Sequence, residues 1–159
     1  MIDNSEKKDD FIFNWILKKR LAIGTTPTKI EDINLLNHHK VKNILGLCSE
    51  DECKWHKNLE NNFICKRIIL PDSRKKKLPS ESEIDYAFNT LRNFVQKNIT
   101  FIHCFASIER SPLLCIMYIM EKYDIELEES LDYVKSVHRM TNPRNKQLLL
   151  IKNYKFKKY

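Results

Sequence analysis

No apolar run in this 159-residue chain is long enough to cross a bilayer. The longest uncharged one, Pro112 to Met120, has nine residues, and a spanning helix needs about twenty. The opening Met1 to Asp10 is polar and has no signal-like apolar core, so a soluble, cytoplasmic protein is expected, with no membrane partner. Cysteine occurs in an odd number, five, which without an export signal argues against a disulfide framework and for a reducing compartment. Cys53-x-x-His56, with Cys48 or Cys65, lacks the second paired spacing that would complete a tetrahedral zinc set, so no metal is expected. Nor is there an internal repeat or a long linker. The length and a hydrophobic content of 42% fit one domain with one core.

Acidic residues run short, 21 against 28 basic ones, for a net charge of +7. The excess gathers in Arg74 to Lys77 and Lys152 to Lys158, four cations in each. The second run reads as a solvated tail with only nonspecific affinity for polyanions. Aromatic residues are scattered mostly through core patterns, with only Tyr154 and Phe156 falling within a basic run, so no specific nucleic acid partner is expected.

What the chain does carry is Phe101-Ile-His-Cys-Phe-Ala-Ser-Ile-Glu-Arg-Ser-Pro112. Ile99 to Ile102 is a β-branched and aromatic run that predicts a buried strand, and Pro112 opens Leu113 to Met120, which predicts a buried helix. The loop between them, Phe105, Ala106, Ser107, Ile108 and Glu109, therefore sits at a helix N-terminus. Its successive N–H groups converge on one anion, helped by about half a positive charge from the helix dipole. Cys104 at the start of this loop gains the same support for its thiolate, the form that acts as nucleophile. Arg110 returns from the first helical turn with a planar fork that binds two phosphoryl oxygens at once.

His103-Cys104-x5-Arg110-Ser111 resembles the signature of the cysteine-dependent protein tyrosine phosphatases, and within them the small dual-specificity branch. Met117-Tyr-Ile-Met120 lies where that branch usually has Ala-Tyr-Leu-Met, and the resemblance runs from about Leu21 to Gln147. It implies a phosphoester hydrolase working through a phosphocysteine on Cys104, with no cofactor, and it requires a general acid to protonate the leaving oxygen. Asp72 is the candidate. It follows the apolar run Ile68-Ile-Leu70 and lies 32 residues before the cysteine, in a loop bounded by Pro71 and Leu78-Pro79.

The resemblance also assigns Ser111 a hydroxyl that donates to the Cys104 sulfur as thiolate departs, a role compatible with a helix cap. His103 orients the loop in the family; from the residues alone it reads as a satisfied, half-buried histidine. Two positions depart from the family pattern. Ser107 stands where glycine is usual, and serine at positive φ costs roughly 1 to 2 kcal/mol. Glu109 puts an acid beside a dianion site and is expected to point to water; pointing inward, it would make the loop a weak binder. Cys48 ends the apolar run Asn43 to Leu47 at a ligand-binding sheet edge. Some dual-specificity relatives have a back-door cysteine at a similar strand end, which makes Cys48 a candidate redox partner of Cys104; the other reading is an ordinary buried strand cysteine.

Along the chain, strand and helix patterns alternate. They predict an α/β fold: one domain with a central, largely parallel (mixed) sheet of four to five strands flanked by helices, similar to the dual-specificity phosphatases. Strands are expected at Phe11–Ile16, Leu21–Gly24, Val41–Cys48 and Phe63–Leu70. Thr28-x-x-Glu31 reads as a capping box opening a helix with Ile30, Ile33 and Leu36 inward. Ser80-x-x-Glu83 reads as another, ahead of Ile84, Ala87, Phe88, Leu91, Phe94 and Val95 at helical spacing. Glu126 to Arg139, with Leu127, Leu131, Val134 and His138 on one face, and Arg144 to Tyr154 complete the helices. The expected organisation is a polar segment at 1–10, a phosphatase-like domain over 11–155 and a basic tail at 156–159.

The cradle accepts any phosphoryl group. No lysine lies between Cys104 and Arg110, unlike the superfamily's inositol-lipid members, which disfavours lipid phosphate as substrate. A phosphorylated protein is the expected partner, with phosphoserine, phosphothreonine and phosphotyrosine all accepted. The Arg74 to Lys77 run is either solvated loop or a contact for acidic flanks of a phosphopeptide. Two other readings stand beside this one: a catalytically weak phosphate-binding module and, fitting poorly, a thiol-dependent arsenate reductase.

Overall fold

The computed structural model describes residues 10–75 and 77–157. The expected segment 1–10 therefore lies almost wholly outside the described residues, as do Lys76 of the first basic run and the end of the second. Five strands form one sheet in the order β1-β2-β5-β3-β4. They are β1 (Phe13–Leu17), β2 (Leu21–Gly24), β3 (Asn43–Gly46), β4 (Ile64–Arg67) and β5 (Thr100–His103). Only β1 runs antiparallel, turned back onto β2 through Lys18 to Arg20; the other four are parallel. Strand β2 has the expected bounds and β5 is displaced by one residue, while β3 and β4 are shorter than the expected Val41–Cys48 and Phe63–Leu70 because the flanking residues leave the ladder to enter loops.

Alternation along the strands builds two cores. On β5, Ile102 faces one side and Phe101 the other; on β3, Leu45 and Ile44 divide in the same way. The smaller core joins Ala22, Ile44 and Phe101 to Ile33 and Leu36 of α1 (Ile30–His38) and to Leu59 at the start of the short α2 (Leu59–Asn62). The larger one lies beneath α3 (Glu81–Lys97), α4 (Arg110–Tyr123), α5 (Leu127–Val137) and α6 (Asn145–Lys152). Helix α4 buries residues on every side, as a helix enclosed by sheet and neighbours must. No helix among the described residues is long and apolar enough to cross a membrane.

The Ser80 box forms as expected: Glu83 N–H donates to Ser80 Oγ at 3.1 Å and Ser80 N–H to Glu83 Oε1 at 3.1 Å. The Thr28 box does not. Helix α1 begins later, and Asp32 accepts from the N–H groups of both Thr28 and Lys29 at 2.9 and 3.0 Å, in place of Glu31. Ile30, expected to face inward, is the first residue of α1 and is 44% exposed, while Ile33 and Leu36 are buried as expected.

One disulfide is present, although an odd cysteine count argues against a disulfide framework. Cys53 N–H donates to Ser49 O at 2.8 Å, closing a turn that returns Cys53 to Cys48, and the two are joined by a disulfide with Cα atoms 5.9 Å apart. The bridge spans five positions, so it is a local staple and not a framework. Cys65, Cys104 and Cys115 are free.

Candidate active site

Parallel strands place their C-terminal ends on one edge, and β5 delivers Cys104 there, 2% exposed, directly before the loop that enters α4. Its sulfur lies 3.1 Å from Ser111 Oγ in the first turn of that helix. Two bonds from below hold its carbonyl: Thr26 Oγ1 donates at 3.3 Å and His103 Nδ1 lies at 3.2 Å. His103 is fully buried, not half-buried as expected. Trp55 Nε1–H donates to its Nε2 at 2.7 Å, which leaves the ring proton on Nδ1 to donate to Cys104 O. Burial lowers the His103 pKa to about 4, so the ring is neutral. The room for this pair comes from Gly46, opposite His103 in the sheet, where a Cβ would stand 2.9 Å from the Trp55 ring and 3.0 Å from His103 Nε2.

Ser107 has φ of 60°, the left-handed turn for which glycine is usual. It is buried and bound on both polar atoms. Its carbonyl accepts from His138 Nε2 at 2.8 Å, and its Oγ lies 3.1 Å from the same nitrogen and 3.5 Å from Ser111 Oγ. Asn14 Nδ2 lies 2.9 Å from His138 Nδ1, so β1 and the end of α5 together brace the loop. Burial lowers the His138 pKa, which keeps the imidazole neutral and suits it to this one-donor, one-acceptor position. Asn142 N–H adds a bond to Ile108 O at 2.8 Å.

Arg110 is buried at 7% exposure, and its guanidinium is engaged by both oxygens of Glu52, with Nη1 2.9 Å from Oε2 and Nη2 paired with Oε1. Nη1 also reaches Leu70 O at 3.4 Å, at the base of the loop carrying Asp72. Asp72 in turn is bound by Arg74, whose N–H donates to Oδ1 at 3.0 Å and Nε to Oδ2 at 2.8 Å. That hydrogen-bonded cation, together with the charge of Arg110, holds the Asp72 pKa down at about 2. Arg74 extends to Glu52 at 3.4 Å as well.

Glu109 does not point freely to water. Arg144 Nε donates to it at 3.1 Å, and Ser73 of the Asp72 loop donates a short bond to its other oxygen. The acid that would repel an anion is thus neutralised by Arg144 and fastens the two loops together. A cavity of about 320 Å³ opens between them, lined by Asp72, Arg74, Cys104, Arg110 and Arg144, with Phe105 and Ile108 at its rim 50% and 37% exposed.

Cys48, a candidate redox partner of Cys104 or else an ordinary buried strand cysteine, is instead bonded to Cys53. The zinc reading shifts too. Among the described residues the sulfur atoms of Cys48 and Cys53 gather with His103, not His56, within 4.8 Å; the two sulfurs are joined in a disulfide and His103 accepts the Trp55 N–H. Glu52, Trp55, Arg144 and the bracing role of His138 were not found from sequence. Glu52 and Trp55 lie in an aperiodic stretch, and His138 closes an apolar helix stripe, where it reads as core.

The sequence profile described as "Dual specificity phosphatase, catalytic domain" matches residues 23–156. A probable dual specificity protein phosphatase of Dictyostelium discoideum is 24% identical over 132 residues, 83% of this chain and 32% of its own. Dual specificity protein phosphatase 1-B of Xenopus laevis is 30% identical over 91 residues, 54% of this chain and 23% of its own. The chain spans less than a third of the length of these curated relatives. Among solved structures, a human tyrosine phosphatase-like serine/threonine/tyrosine-interacting protein shares the fold at a TM-score of 0.76 and 20% identity, covering 89% of this chain and 94% of its own. With the profile extending over most of the chain, from β2 to beyond α6, this protein belongs to the dual specificity phosphatase catalytic-domain family.

Proposed function

We propose that this chain hydrolyses phosphate monoesters on proteins, accepting phosphoserine, phosphothreonine and phosphotyrosine, through a phosphocysteine on Cys104. The observation that carries the reading is the 3.1 Å contact of the Cys104 sulfur with Ser111 Oγ at the floor of a cavity that also holds Arg110 and Asp72. In the first step the sulfur attacks phosphorus, an S–P bond forms, the ester P–O bond breaks, and Asp72 gives its proton to the leaving oxygen. In the second, water attacks the phosphocysteine, Asp72 takes the water's proton, the S–P bond breaks, and Ser111 donates to the departing thiolate. Arg110, oriented by Glu52 from behind, follows the equatorial phosphoryl charge with its remaining N–H groups. The half-exposed rim of Phe105 and Ile108 supports a shallow site open to more than one phosphorylated side chain.

An Asp72 bound to Arg74 is ionised in the free protein, so its proton arrives with substrate. The phosphate dianion draws Arg74 toward itself and disfavours a second negative charge beside it, and both effects raise the acid's pKa. The same ionised Asp72 is the specific observation favouring the second reading, a module that binds phosphate with little turnover. Hydrolysis of p-nitrophenyl phosphate by wild type separates the two. Turnover lost in Cys104→Ser, slowed in Asp72→Asn and inhibited by vanadate is the expected result. Wild type as inert as Cys104→Ser, with both still binding a phosphopeptide, would replace hydrolysis by binding.

A further inference from the structure

The parallel sheet has a second edge, opposite the cradle, and basic residues from three separate segments gather there. Lys19 and Arg20 come from the turn between β1 and β2, Lys40 and Lys42 from the link between α1 and β3, and Lys97 from the last turn of α3. All five are exposed, and together they line a cavity of about 360 Å³ whose wall contains no carboxylate. Lys18, also exposed, stands next to it in sequence. The four residues of β5 separate this cavity from Cys104, roughly 13 Å at the rise of a strand, so the two anion-attracting ends are distinct.

The backbone fixes this convergence. Lys42 N–H donates to Ile99 O at 2.9 Å, Thr100 N–H to Arg20 O at 3.0 Å, and Arg20 N–H to Leu17 O at 3.0 Å, so all three segments are bound around the start of β5. Elsewhere in the fold Arg74, Arg92, Arg110, Arg144 and Lys152 each form an ion pair. Among the described residues, none of the five lining the cavity does. Five like charges around one cavity repel one another, and a bound anion relieves them all at once.

The lining also narrows the class of anion. It holds no aromatic ring on which a base could stack, which disfavours single-stranded nucleic acid. It holds none of the exposed large apolar residues that would insert into a bilayer. A concave space with several ammonium groups and one guanidinium suits a compact ligand with charge concentrated on neighbouring oxygens. We propose that this edge is a second anion site, which takes a compound bearing two or more clustered phosphate groups, either free in solution or as a lipid headgroup.

Titration of the isotope-labelled chain with sodium tripolyphosphate, followed by NMR, tests this. The amides of Arg20, Lys40, Lys42 and Ile99 should shift saturably, apart from those of residues 105–110, and the apparent Kd should rise with salt. In a variant with Lys40→Gln, Lys42→Gln and Lys97→Gln the Kd should rise about tenfold or more, with p-nitrophenyl phosphate turnover unchanged as a check on folding. Vesicles of phosphatidylcholine with phosphatidylinositol bisphosphate that sediment wild type but not the variant assign the headgroup; tripolyphosphate binding without sedimentation assigns a free anion. Shifts confined to residues 105–110, equal affinity in the variant, or a response to duplex DNA but not to tripolyphosphate would each overturn the assignment.

Discussion

Glu52 presents both carboxylate oxygens to the guanidinium of Arg110, Oε2 standing 2.9 Å from Nη1. The pair links an aperiodic loop to the first turn of α4 and aims a buried cation at the cavity above Cys104. Removing one member of a buried pair leaves the other charge uncompensated. Glu52→Gln is therefore expected to lower kcat/KM by about tenfold or more and to reduce stability by roughly 1–3 kcal/mol. Steady-state kinetics and urea unfolding read the two effects; unchanged kcat/KM would mean that Arg110 is aimed by the helix alone.

Arg74 holds the Asp72 pKa at about 2, so its removal should raise it. A general acid works only while protonated, and the descending alkaline limb of the kcat/KM profile should move to higher pH in Arg74→Met. A limb that stays in place would mean that another group supplies the proton. The same depressed pKa also contributes stability that is present above about pH 4, the unfolded carboxyl's value, and is lost as pH falls toward 2.

Burial holds His103 neutral with a pKa of about 4, against about 6.5 in an unfolded chain. Its contribution is fully present above pH 6.5 and is lost as pH falls through 4, with a slope of at most about 1.4 kcal/mol per pH unit for this one group. Protonation would also set a second N–H against the Trp55 donor. Urea midpoints measured between pH 7 and 4 by tryptophan fluorescence should fall, and His103→Gln should flatten the slope.

At Ser107 two effects compete. Ser107→Ala keeps the positive φ and loses the hydroxyl that meets His138, a loss of about 1 kcal/mol. Ser107→Gly loses the same hydroxyl and removes a conformational cost of roughly 1–2 kcal/mol, partly offset by about 0.4–1 kcal/mol of extra freedom in the unfolded chain. The glycine variant should be the more stable of the two. An alanine variant more stable than glycine would contradict the strained turn.

Much of the fold was legible because its signals are local. The alternation in β3 and β5, the Ser80 box ahead of α3 and the apolar stripe of α5 each depend on residues within a turn or two of one another. Where two near-equal local solutions competed, the sequence misled. Asp32 took the capping place expected of Glu31, and Ile30 at the first position of α1 faces the surface.

Cys104, the five loop residues and Arg110 are contiguous, so their order and their position at a helix start follow from the chain alone, whatever surrounds them. The partners of those groups lie far away in sequence. Glu52 is 58 positions from Arg110 and His138 is 31 from Ser107, and no spacing rule connects them. Their meeting depends on where β3, α5 and the loops come to rest after the two cores form, as does the basic edge of the sheet. Local hydrogen bonding and periodicity write the elements, while pairing across the molecule is decided by packing, which sums many distant contacts at once.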